Sequence, residues 1–125
     1  MPIIGTHTLL YSSEPEALRA MLRDVFGFPA IDSGGGWLIC ALPPAEMGVH
    51  PAGGPTFDSG IRHQISFMCD DLEATASELQ AKGVTIEGPP HGERWGTFVT
   101  MVLPGGVRVI LYQPHHPTAL HLVKP

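Results

Sequence analysis

Residues 63–84, HQISFMCDDLEATASELQAKGV, carry two periodicities end to end. Ile65, Phe67 and Cys69 alternate with Gln64, Ser66 and Met68, the period-two pattern of a strand with two unlike faces. Asp70 stands three residues before Glu73, so a side-chain acceptor and a reciprocating carboxylate can satisfy the first amides of a helix. Leu72, Ala76 and Leu79 fall on one helical stripe, and Gly83 follows Lys82 where a left-handed terminator is wanted. The segment predicts a strand, a capped helix and a stop.

The same order occurs near the start of the chain. Thr6 to Tyr11 is strand-like, Ser13 precedes Glu16 by three, and the stripe Leu18, Met21, Leu22, Val25 ends at Gly27. The shift that carries Ser13 onto Asp70 also carries His7 onto Gln64. This is an internal repeat of supersecondary size.

A chain of 125 residues, 43% hydrophobic and 15% charged, suits one globular domain rather than two. Its formal charge of −5 disfavours nucleic acid or an anionic membrane as partner, because both require basic patches. No apolar run reaches the roughly 20 residues of a membrane span. Met1 leads into a strand without a charged and apolar leader, so the expected location is cytoplasmic. Cys40 and Cys69 lie in strand-like apolar segments and read as small buried hydrophobes.

In order, a strand is expected over Ile3 to Tyr11 and a helix from about Glu14 to Phe26. A glycine-rich turn at Asp32 to Gly36 precedes strands at Trp37 to Leu42 and Glu46 to His50. Pro51 to Gly60 is the one stretch with linker composition. The second half continues with Val84 to Glu87, a turn at Pro89 to Gly92, and strands at Trp95 to Leu103 and Val107 to Tyr112. A loose tail follows over 115–125. The expectation is a single α+β domain of two modules, about 1–55 and 61–117, each with one helix on one face of its sheet. The two bare faces can then curl into a shared cleft suited to a small molecule.

His7 opening a strand, RDVFGF at 23–28, DDLEATASELQAKGV at 70–84 and LPGGVRVILYQP at 103–114 together resemble the vicinal-oxygen-chelate superfamily. That group holds glyoxalase I, extradiol dioxygenases and the fosfomycin- and bleomycin-resistance proteins. The resemblance spans Ile4 to about Pro117 and implies paired βαβββ modules forming an incomplete barrel, and a homodimer. Its catalytic members hold a divalent metal (manganese, nickel, iron or zinc) on inward-facing side chains of the first and last strands of each module. Carried over by position, the implied metal ligands are His7, Gln64 and, depending on strand register, Glu46 or His50. Ile110 stands where a catalytic member has its glutamate, and an aliphatic side chain ligates nothing. Such metals need about three or four oxygen or nitrogen ligands.

Two functions follow from the resemblance. One is metal-dependent lyase, transferase or dioxygenase chemistry, with the metal acting as a Lewis acid on vicinal oxygens. The other is metal-free sequestration of a ligand, as in the bleomycin-resistance proteins. Tyr11, Trp37, Met68, Trp95 and Tyr112 are the candidate pocket residues, since aromatic rings wall apolar sites well. His63 shares parity with Ile65 and faces away, and His115, His116 and His121 read as solvated tail. No nucleophile elbow, dinucleotide fingerprint or phosphate loop is present, and the glycine clusters fit hairpin turns.

Overall fold

The computed structural model describes residues 7–49 and 63–122. The expected linker and His50 lie outside those residues. The elements run α1 (Pro15–Asp24), β1 (Ala30–Asp32), β2 (Leu38–Cys40), β3 (Ser66–Met68), α2 (Leu72–Ala81), β4 (Thr85–Gly92), β5 (Gly96–Leu103) and β6 (Val107–Pro114). The fold is α+β with two sheets and no closed barrel among the described residues.

From β3 onward the order is βαβββ, as the sequence predicts. The four strands lie in the order β3-β6-β5-β4, with β3 parallel to β6 and the other neighbours antiparallel. The α2 N-terminus shows one shift from expectation. Asp71, not Asp70, is the cap, accepting the Ala74 N–H at 3.1 Å. A second amide, Leu72 N–H, donates to Gln113 Oε1 at 2.9 Å. Thus β6 helps to start the helix that packs beside it. At the other end Gly83, at φ 96°, lets Val84 N–H reach Leu79 O and Gly83 N–H reach Gln80 O, both at 3.0 Å. That pair of bonds is the Schellman closure a terminal glycine permits.

Alternation along β5 and β6 divides the sheet into two surfaces. Val99, Met101 and Leu103 face Val107, Val109 and Leu111 in one buried cluster with Leu72, Leu79 and Val84. Leu18 of α1 joins this same cluster. Phe26 and Phe28, just beyond α1, meet Phe67 of β3 at ring centroid distances of 5.6 and 5.5 Å. Both helices therefore contribute to one core on one side of the larger sheet, rather than each covering its own. Among the described residues the opposite surface has no α-helix on it.

The first half departs from the sequence reading. Residues 7–11 and 46–49 form no strand, and β1 and β2 make only a short antiparallel hairpin. A strand needs a neighbour for its amides and carbonyls, and no described segment supplies one there. Ser13 does not cap α1; Glu14 occupies that position without a capping side-chain bond, and Pro15 opens the helix. The polar groups ahead of α1 are spent elsewhere, on the β5–β6 turn. Ser12 Oγ donates to Pro104 O at 2.7 Å, and Gly105 N–H donates to Glu14 Oε2 at 3.1 Å. Strand ends also move. β4 runs through Pro89 and Pro90 with a register shift between Glu87 and His91, where a turn is expected, and β6 extends to Pro114. An edge strand tolerates those prolines because its outer amides pair with nothing.

This turn generates a test of the joint. Gly105 has φ 83°, and a Cβ there would run into Ser12 Oγ and lie 2.7 Å from the amide nitrogens of Ser13 and Glu14. Gly106, at φ 77°, faces open space. In urea denaturation Gly106→Ala should cost about 1 kcal/mol of left-handed strain, and Gly105→Ala about 3 kcal/mol, strain and collision together. Equal losses would show that the joint does not hold the two halves.

Candidate functional site

The uncovered surface of the larger sheet carries side chains of alternate parity: Phe98, Thr100 and Val102 on β5, and Arg108, Ile110 and Tyr112 on β6. Ser66 and Met68 lie beside Ile110 and Tyr112, while Glu87 and His91 lie beside Thr100 and Phe98. At one end Arg108 Nε and Nη2 donate to the two oxygens of Glu87 at 3.1 and 3.3 Å. This pair is solvent-exposed, and the bonds to Arg108 lower the Glu87 pKa.

The other end is aromatic. His91 stacks on Phe98 at 5.4 Å, Phe98 stacks on Trp95 at 5.3 Å with planes within 14°, and Trp95 meets Tyr112 edge-on at 5.4 Å. His116 continues the row at 6.1 Å from Tyr112. Trp95 keeps 43% of its surface exposed, so the row presents itself to solvent. Beside it, a groove of about 340 Å³ runs between Met68, Cys69 and Asp70 on one side and Pro114, Thr118 and Leu120 on the other. The Cys69 thiol, whose pKa burial raises, points to the Tyr112 carbonyl at 3.6 Å.

Two chain segments close over the Tyr112 end. Glu46 reaches in from the stretch after β2, and residues 115–119 cross from the end of β6. Ala119 N–H donates to Glu46 Oε1 at 2.8 Å, and Glu46 Oε2 lies 3.7 Å from His116 Nε2. The same Nε2 lies 3.4 Å from the Tyr112 hydroxyl, and Nδ1 lies 2.8 Å from Pro117 O. Nearby, Thr97 Oγ1 is 3.0 Å from His115 Nε2. Residues 115–119, expected to be loose tail, are thus docked on the sheet. Burial, and secondarily the Glu46 charge, raise the Tyr112 pKa.

Of the residues singled out from the sequence, Glu46, Met68, Trp95 and Tyr112 come together. Tyr11 is 86% exposed ahead of α1, and Trp37 lies under the Arg19 guanidinium at 4.5 Å on the β1–β2 hairpin. Neither has a described contact with the aromatic row. His7, His63 and Gln64 are exposed and in no strand. Sequence reading missed Phe98, His91 and His116. Phe98 was within reach, since it shares the parity of the exposed face in GTFVTMVL; His116 gave no local signal.

Among the described residues, which leave out the candidate ligand His50, the donor set does not fit a divalent metal. Among the described residues, no three His, Cys, Asp or Glu side chains gather around a point. Ile110 occupies the middle of the open face between Thr100 and Ser66. Glu46 is already engaged by Ala119 and faces His116.

An α+β chain whose larger sheet buries one face and leaves the other lined with aromatic rings belongs to a class built around an open cleft. The profile of the Glyoxalase/Bleomycin resistance protein/Dioxygenase superfamily matches residues 6–111, and the chain belongs to that superfamily. No curated protein matches it. Among solved structures it is similar to TnmS3, an antibiotic binding protein from a Streptomyces species, with 24% identity over 91% of this chain and 98% of that one and a TM-score of 0.62. It is also similar to a superfamily member from Sphaerobacter thermophilus, with 21% identity, coverage of 90% and 99%, and a TM-score of 0.59. A lactoylglutathione lyase from Agrobacterium tumefaciens gives 22% identity, coverage of 90% and 96%, and a TM-score of 0.56. At these identities the likeness is one of fold. Among the described residues no helix is long and apolar enough to cross a membrane.

The surroundings of Tyr112 lend themselves to titration. Its phenolate should form above the ordinary value of 10.0, read as the absorbance at about 295 nm that Tyr112→Phe removes. Glu46→Gln should lower that midpoint, because a neighbouring negative charge opposes a second one. An unchanged midpoint would show that Glu46 does not reach Tyr112 electrostatically.

Proposed function

We propose that this protein binds a flat aromatic small molecule on the open face of the larger sheet, without a metal. The observation that carries the reading is the row His91, Phe98, Trp95, Tyr112, with Trp95 still exposed at its centre. Rings on a rigid sheet offer stacking area without ordering cost, worth roughly 0.5–1.5 kcal/mol per ring pair beyond burial. The aliphatic Ile110, at the position where the resemblance places a ligating glutamate, favours sequestration over metal-dependent turnover. Likeness to an antibiotic binding protein supports the same reading.

Acridone, a neutral tricyclic dye, tests it through its own fluorescence anisotropy. Binding should survive chelator and added manganese unchanged, and Trp95→Ala should weaken it about tenfold, the loss of stacking plus burial. Binding that depends on metal, or that ignores Trp95, would overturn the proposal.

A second copy of the chain is the partner we infer, and one asymmetry supports it. Among the described residues ten form the buried core, and only Leu18 of these comes from the first half. Leu9, Tyr11, Ile31, Trp37, Leu42, Met47 and Val49 are instead exposed, against Trp95 and Leu122 among the described residues of the second half. Apolar surface so concentrated marks an interface. Light scattering at micromolar concentration should give twice the chain mass, and Ile31→Lys with Met47→Lys should return it to the single-chain value. A monomeric parent protein would refute the inference.

A further inference from the structure

Glu46 ends in an unusual place for a carboxylate, with a side chain only 19% exposed, at the aromatic end of the open face. The Ala119 N–H holds Oε1 at 2.8 Å and so fixes the direction of Oε2. What Oε2 faces is His116 Nε2 at 3.7 Å. Because a carbonyl oxygen can only accept, the contact of His116 Nδ1 with Pro117 O at 2.8 Å requires the proton on Nδ1. Neutral His116 therefore turns a lone pair, not a proton, toward the carboxylate. The Tyr112 hydroxyl, 3.4 Å from Nε2, has one proton to give and spends it on that nitrogen. With His116 neutral, Glu46 has among the described residues one neutral donor and no positive partner; a protonated His116 would itself stand as that partner at 3.7 Å. A half-buried carboxylate in that state lacks a donor cation.

We propose that Glu46, with Tyr112 and Trp95, recognises a protonated amine carried by the aromatic ligand. This rests on the reading of the open face as an aromatic binding surface, and names the ligand class. A protonated nitrogen entering beside Tyr112 meets Glu46 Oε2 as a charged acceptor and the ring faces of Tyr112 and Trp95 as a negative quadrupole, which attracts cations. The formal charge of −5 on the chain raises the local concentration of such ligands.

Two tricyclic dyes separate the positive charge from the ring: proflavine, a cation at neutral pH through its protonated ring nitrogen, and acridone, which is neutral. Proflavine should bind about tenfold more tightly by fluorescence anisotropy. Glu46→Gln should abolish that preference by weakening proflavine binding, because glutamine keeps an oxygen for the Ala119 N–H and loses the charge. Glu78→Gln, which removes the same charge on exposed α2, should keep the preference and so exclude a net-charge effect. Equal binding of the dyes, or a preference that persists in Glu46→Gln, overturns the amine site; the second outcome would assign the charge pairing to His116 within the protein. Acridone binding that still depends on Trp95 would then leave the aromatic face standing, whereas failure of both dyes overturns both proposals.

Discussion

The two-residue period of β5 and β6 is the constraint on which the molecule rests. In these eight-residue strands, odd-numbered residues Val99, Met101, Leu103, Val107, Val109 and Leu111 enter the core, and even-numbered residues Phe98, Thr100, Arg108, Ile110 and Tyr112 remain on the open face. A slip of one residue would bury Arg108 and expose Met101, so the core enforces the register. The open face inherits its geometry from that enforcement. Phe98 and Tyr112 are direct cross-strand partners, and the aromatic row is as rigid as the ladder beneath it.

The two halves of the chain meet this constraint unequally. From β3 on, the sequence was legible because each local signal served the packing it announced: Leu72 and Leu79 are buried, and Gly83 ends α2. The cap moved by one residue between adjacent aspartates, a distinction that depends on Gln113, which supplies Leu72 with an acceptor from 41 residues away. In the first half the same signals misled. Ser13 has the spacing of a cap, yet Ser12 and Glu14 bind the β5–β6 turn, and alternation over residues 7–11 does not produce a strand without a neighbour. A repeat in sequence predicts equal potential in its two copies, and tertiary partners decide whether each copy realises it.

The candidate site shows the same limit. Met68, Trp95 and Tyr112 were readable because strand parity alone places Met68 and Tyr112 on one face, with Trp95 at the strand's start. Glu46 was readable only as an acidic residue of ambiguous direction. Its neighbours, His116 and Ala119, lie about 70 residues further on and carry no periodic signal. The segment that brings them follows Pro114, where the ladder ends and backbone amides need other acceptors. His115 N–H finds Trp95 O at 2.8 Å and Ala119 N–H finds Glu46, so backbone satisfaction is what turns the segment over the face.

Ile110 bears most directly on the kind of chemistry this face supports. It sits between Thr100 and Ser66, flanked along its strand by Arg108 and Tyr112, and Arg108 is already paired with Glu87. A metal centre would require several lone pairs to converge there against their mutual repulsion, a cost that a cation must offset. The described face instead places the Arg108–Glu87 pair at one end, Thr100, Ile110 and Ser66 in its middle, and the aromatic row with Glu46 at the other end, about four strand residues or ~13 Å from Arg108. For the ligand proposed above, such a surface would discriminate by shape and by the position of charge, and stacking and desolvation would supply the binding energy.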